Sequence, residues 1–235
     1  MTWENISLGK FQQIEKINKQ ELPDIDKALY CACIVFDKTE FELDNEKPGK
    51  VLKMMNTMQS IFAAPFNSKA GSRIGKYAIS YDVSAITFGQ YIELSFFIDR
   101  GPVDNAHYIL ATMATRWRKK RITSEHRKRA DYFLTQPVEK VIGALNTIQE
   151  SYARFNKQYQ QLFGVDAEVV GNVQNNDFNK RYGWIYSATQ VAQHECISLD
   201  AAYGLGVKQA FNDLLFLKAK SKYELEQLRT TKKVF

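Results

Sequence analysis

Residues 85–94 read AITFGQYIEL, and residues 4–14 open the chain with nearly the same phrase, ENISLGKFQQI. Both hold Ile, a hydroxyl residue, an apolar residue, Gly, a long polar residue and an aromatic in that order: Ile6, Ser7, Leu8, Gly9, Lys10, Phe11 and Ile86, Thr87, Phe88, Gly89, Gln90, Tyr91. Ser7 stands where a helix N-cap is needed, and Leu8, Phe11, Ile14 and Ile17 follow at helical spacing. Glycine costs about 1 kcal/mol inside a helix, so propensity does not ask for Gly9 or Gly89. A close approach by another backbone or a bulky side chain does. A third echo, CISLDAAYGLGV from Cys196, sets Ser198 before Leu199 and Asp200, with the acid favourable to the helix dipole. The first two phrases predict a small helical unit used twice, against the competing reading that helix N-caps simply look alike; the third resembles them in its cap.

Working outward, the periodicity predicts mostly helices. Pro23 suits the first turn of PDIDKALYCACIVF, with Ile25, Leu29, Cys33 and Phe36 on one side. VLKMMNTMQSIF, PVDNAHYILATMATRW, DFNKRYGWIYSATQVAQHE and VKQAFNDLLFLKAKSKYELEQLR read the same way. Two short strands are expected, one in TEFELDNEKPGK before the Pro48-Gly49 turn and one in KYAISYDV. Residues 68–73 and 165–176 read as loops, and the TTKKVF end as a frayed tail. The most regular pattern is a heptad seam: Val141, Leu145, Ile148, Tyr152, Phe155, Tyr159 and Leu162 alternate steps of four and three on one helix from near Pro137 to Gly164. Its aromatics suit packing on other helices of the same chain or of a neighbouring subunit better than a simple two-stranded coil. The expected fold is mainly α: a multi-helix bundle with a small two-stranded β element and one long heptad-patterned helix. It divides into an N-terminal helical unit (1–66), a second unit carrying a basic segment (67–135) and a region of long helices (136–235), or closes as one compact domain.

Composition bounds the function. With 235 residues, 45% apolar and 13% aromatic, the chain can bury a core without disulfides or metals. Three cysteines, none in a CxxC, suit a reducing compartment, and no apolar run is long enough to span a membrane. The start lacks a signal-peptide pattern, so a soluble protein outside the secretory route is expected. The net charge of +6 is concentrated in residues 116–129, RWRKKRITSEHRKR, where eight Arg and Lys face Glu125 as the sole acid. Arg116, Arg118, Lys119, Lys120, Arg121, Arg127, Lys128 and Arg129 could neutralise phosphates beside Trp117, without reading sequence. The competing reading is a solvated face or a contact to an acidic neighbour.

Catalytic signals are absent. His194-Glu195-Cys196 has metal-capable side chains, but adjacent helical residues diverge and no second ligand cluster stands at a usable spacing. Cys31 and Cys33 do not face each other on a helix and read as core. No phosphate-binding glycine loop, nucleophile elbow or HExxH occurs. No enzyme activity, cofactor or metal is expected.

WENISLGKFQQI, ITFGQYIEL and YGWIYSATQVAQHECISLDAAYGLGVKQAFNDLLFLKAKSKYE also resemble small helical proteins of tailed bacteriophages, especially the crAss-like phages of Bacteroidetes. The pattern is similar to that of tail assembly chaperones and virion morphogenesis proteins, and touches Thr2–Ile17, Ile86–Phe97 and Tyr182–Tyr223, about a third of the chain. The resemblance implies a protein of the virion or host cytoplasm that binds other virion proteins, as a transient chaperone or as a neck, tail or packaged component. On that reading the seam aromatics Tyr152, Phe155 and Tyr159 are the expected protein interface, with self-association a further possibility. Nucleic-acid backbone contact through residues 116–129 is the alternative.

Overall fold

The computed structural model describes residues 2–66, 68–116, 125–163 and 177–232. The chain forms two compact units, each discontinuous: Met1–Tyr81 with Phe97–Ile148, and Asp82–Phe96 with Gln149–Phe235. These differ from the three consecutive segments expected. Each repeated phrase gathers a later part of the chain to itself, so the units interleave along the sequence.

In the first unit, a 3-10 turn (Trp3–Asn5) leads into α1 (Leu8–Asn18), α2 (Asp24–Phe36), α3 (Glu40–Asp44) and α4 (Pro48–Ala63). The Ser7 hydroxyl accepts from the Lys10 amide at 3.3 Å, as an N-cap should. Trp3 donates from its indole to the Ala64 carbonyl at 3.2 Å and gathers the rings of Phe11, Phe62 and Phe66. The strand expected in TEFELDNEKPGK is instead α3. Thr39 and Glu42 form a reciprocal capping box, the Thr39 hydroxyl accepting from the Glu42 amide and the Glu42 carboxylate accepting from the Thr39 amide, which outweighs the brief alternation of apolar residues. Pro48 then starts α4.

The sheet has three antiparallel strands in the order β1 (Arg73–Ile74), β2 (Tyr77–Ile79), β3 (Ala114–Arg116). Tyr77–Ile79 is the one segment of the expected pair that is a strand. Its partners come from a stretch read as loop and from the end of a stretch read as helix. Gly75 takes a φ of 55° at the β1–β2 turn, and β2 pairs Tyr77 with Arg116 and Ile79 with Ala114. Between β2 and β3 in the chain come α5 (Phe88–Asp99) and α6 (Ala106–Met113), separated by a turn at Gly101 and Pro102. α7 (His126–Leu134) packs on α6. Here the rings of Phe97, Tyr108 and His126 stack nearly parallel, and His126 Nε2 lies 3.0 Å from the Thr112 hydroxyl.

α8 (Val138–Gln158) belongs to the first unit as far as Ile148 and to the second beyond it. The expected single helix to Gly164 ends earlier: a turn at Tyr159 separates α8 from α9 (Gln160–Phe163). The second unit is completed by α10 (Asp177–His194), α11 (Leu199–Gly204) and α12 (Val207–Lys232). The whole of the loop expected at 165–176, with Gly164, lies outside the described residues. α12 reaches Lys232, so the first three residues of the expected tail are helical; the last three lie outside the described residues.

The doubled phrase has a structural counterpart. In the first unit the Leu8 amide donates to the Gln136 carbonyl at 2.9 Å, and the Val138 amide donates to the Ile6 carbonyl at 2.8 Å. In the second, the Phe88 amide donates to the Leu205 carbonyl at 2.8 Å, and the Val207 amide to the Ile86 carbonyl at 3.0 Å. Each is an isolated antiparallel bridge, Ser7 with Pro137 and Thr87 with Gly206, and each joins two helix starts. The glycines lie where the partner backbone comes close. A Cβ on Gly9 would stand 3.3 Å from the Leu134 carbonyl oxygen, and one on Gly89 3.2 Å from that of Tyr203. Ile6, Leu8 and Val138 are buried in one copy, and Ile86, Phe88 and Val207 in the other. Ser198 caps α11 through the Ala201 amide, but the segment leaving α11, Leu205–Val207, is the bridging partner of the second copy rather than a third copy of the phrase.

Candidate functional site

The seam aromatics pack within the second unit. Tyr91 of the repeated phrase lies among Tyr152 (5.5 Å between ring centroids, stacked), Phe155 (5.6 Å), Trp184 (5.7 Å) and Phe211 (4.8 Å). The Tyr152 hydroxyl donates to Ser95 Oγ at 3.0 Å, and the Tyr159 hydroxyl to Asn212 Oδ1 at 3.2 Å. Burial pushes the Tyr159 hydroxyl pKa up. Phe155 and Tyr159 are only 4% and 5% exposed. The expectation that Tyr152, Phe155 and Tyr159 form an external interface is therefore corrected: the seam meets helices of its own chain.

The basic segment is divided. The side chains of Arg116, Arg118, Lys119, Lys120 and Arg121 lie outside the described residues; the Arg116 backbone belongs to β3. On α7, Arg127 and Lys128 face solvent, whereas Arg129 is 3% exposed and shares the inward face with Ala130 and Phe133. Its inclusion among phosphate-binding residues is thus corrected: helical periodicity turns position 129 inward, out of reach of a surface polyanion.

A groove of about 610 Å³ runs between α10 and α12, lined by Trp184, Ser187 and Gln190 on one side and Phe211, Leu214 and Leu217 on the other, with Leu162 of α9 also in its wall. Lys218 reaches across from α12 and donates to the Gln161 carbonyl at 2.6 Å. Of the large apolar side chains that the two helices expose, Tyr186 stands in the groove wall; Tyr182 and Ile185 on α10 and Phe216 and Tyr223 on α12 are also exposed, Phe216 with its ring against His194 rather than in that wall. The sequence signal for it was the aromatic content of 182–223; its direction on each helix was not legible. The described part of α12 beyond Lys218 is exposed throughout, as its polar sequence predicts.

At the end of α10, His194 and Glu195 meet Asp213 of α12, and one donor atom from each lies within 4.8 Å of the others. Sequence spacing missed this third donor because it arrives from another helix. Cys196 points elsewhere, its thiol 3.8 Å from the Gln193 carbonyl. Burial raises the thiol pKa of both Cys31 and Cys33, which suits core packing rather than thiolate chemistry.

No helix among the described residues is long and apolar enough to cross a membrane. No protein-family model matches the chain, and neither a curated protein nor a solved structure shows significant similarity to it.

Proposed function

We propose that this chain is a tailed-phage structural or assembly protein that acts by protein–protein contact, binding an apolar segment of another virion protein along the α10–α12 groove. The observation that carries this reading is the groove itself, walled by Trp184, Phe211, Leu214 and Leu217 with the exposed Tyr186 in its wall, since an open apolar groove with accessible aromatics is characteristic of interaction surfaces. The same residues, Tyr182–Tyr223, fall within the longest stretch of the phage resemblance. On this reading the protein works in the virion or host cytoplasm and turns over no substrate. The groove leaves open a transient chaperone or a retained component.

Mass spectrometry of purified virions beside infected-cell lysate tests it. Abundant peptides in particles support a retained component, and peptides in lysate alone a chaperone. A chain found in cells with no phage context overturns the reading. Tyr186→Asp, at an exposed position of the groove wall, should abolish partner capture while the protein stays folded.

A second reading, phosphate contact by the basic segment, draws on the solvent-facing Arg127 and Lys128. It requires DNA or RNA binding that weakens steeply with salt and discriminates little between sequences. No binding at low salt removes it.

A further inference from the structure

We infer that the turn after α10 and the facing stripe of α12 form a divalent-cation site of the zinc class, with His194, Glu195 and Asp213 as its three protein ligands. The backbone holds the first two in place. The Glu195 amide still donates to Val191 at 2.9 Å, Cys196 takes a left-handed φ of 56°, and the Ile197 amide returns to the Ala192 carbonyl at 2.9 Å. This closure of the helix end fixes the direction in which His194 and Glu195 leave it.

α12 supplies the rest from successive turns. Asp213 brings the third donor. Gln209, four residues earlier, donates to Glu195 Oε1 at 3.4 Å, and Phe216, three residues later, sets its ring 5.3 Å from the His194 imidazole. The ligands thus have neighbours that orient them, as metal ligands generally require.

Two carboxylates set together repel unless a proton or a cation lies between them. Asp213 Oδ2 is shut off from solvent and has no hydrogen-bond partner among the described residues. One imidazole nitrogen with two carboxylates suits Zn²⁺ and similar transition ions better than Mg²⁺ or Ca²⁺, which prefer all-oxygen shells. His194 is exposed, so a fourth coordination position opens to solvent for water or a ligand from a partner.

Isothermal titration of the untagged, EDTA-treated full chain with ZnCl₂ and with MgCl₂ tests the site. Saturable uptake of one zinc ion is expected, with no comparable response to magnesium. Asp213→Asn and His194→Ala should each weaken zinc binding by roughly tenfold or more, and Cys196→Ser should leave it unchanged. Circular dichroism checks that the variants fold, and His194→Ala, at an exposed position, keeps the test valid if Asp213→Asn does not. The proposal is overturned by an absence of saturable binding, which would leave a proton shared by the two carboxylates. It is equally overturned if zinc binding survives His194→Ala and depends on Cys196.

Discussion

The Leu8 amide donates to the Gln136 carbonyl across 2.9 Å, tying the first helix of the chain to the turn that begins α8. Phe88 and Leu205 repeat the arrangement at 2.8 Å in the second unit. A helix start with a cap, an inward apolar residue and a glycine is thus clasped twice by a short extended segment entering another helix. The glycine is needed because the clasping backbone passes almost against it.

Gly9→Val and Gly89→Val should therefore each destabilise the protein by about 1–3 kcal/mol through overpacking. Hydrogen exchange followed by mass spectrometry should show the damage locally, around Leu134–Val138 for Gly9→Val and around Tyr203–Val207 for Gly89→Val. Unchanged exchange in both regions would contradict the close approach.

Gly143 in α8 makes a tighter contact of a different kind. A Cβ there would lie 2.8 Å from the Lys69 carbonyl carbon and 2.9 Å from its oxygen. Gly→Ala in a helix ordinarily stabilises by up to about 1 kcal/mol. Here the sign should reverse, since a backbone cannot step aside as a flexible side chain can, and Gly143→Ala should cost about 1–3 kcal/mol in urea denaturation.

Tyr159→Ser should lower stability by about 3–5 kcal/mol, the range for emptying a buried aromatic site. Tyr159→Phe, which loses only the hydrogen bond to Asn212, should cost about 1 kcal/mol. Thermal melts distinguish this from the interface reading, under which Tyr159→Ser would leave the isolated chain as stable as before.

His107 carries a pH dependence. Its pKa is lowered mainly by burial, with Lys16 and His126 adding to the effect and Asp131 opposing it, and its Nδ1 lies 3.3 Å from the Gln12 amide nitrogen. The unfolded chain then binds the proton more readily than the folded one. The stability this neutral imidazole contributes is full above the unfolded value of about 6.5 and falls as the pH drops from there through the lower folded value. Melting temperatures measured across that window should decline more for the native protein than for His107→Gln. Parallel curves would exclude His107 as the cause.

Local chemistry made much of this chain legible from its sequence. Ser7 and Ser198 cap where their hydroxyls can reach a nearby free amide. Thr87 does the same, its hydroxyl accepting from Gln90 while the Gln90 side chain accepts from the Thr87 amide. Proline and polar runs mark most helix limits, and the heptad spacing from Val141 marks an inward stripe, buried at Val141, Leu145, Ile148, Phe155 and Tyr159. Among the local misreadings, that of α3 came from weighing alternation above the Thr39–Glu42 capping box. What tertiary structure decided depends on residues far apart in the chain. Only the fold turns Tyr152, Phe155 and Tyr159 onto Tyr91, Ser95, Phe211 and Asn212, carries Arg129 into the interior and brings Asp213 to His194 and Glu195. Periodicity specifies that a helix has an apolar face, but which surface that face meets depends on non-local packing, and neither cap nor spacing encodes it.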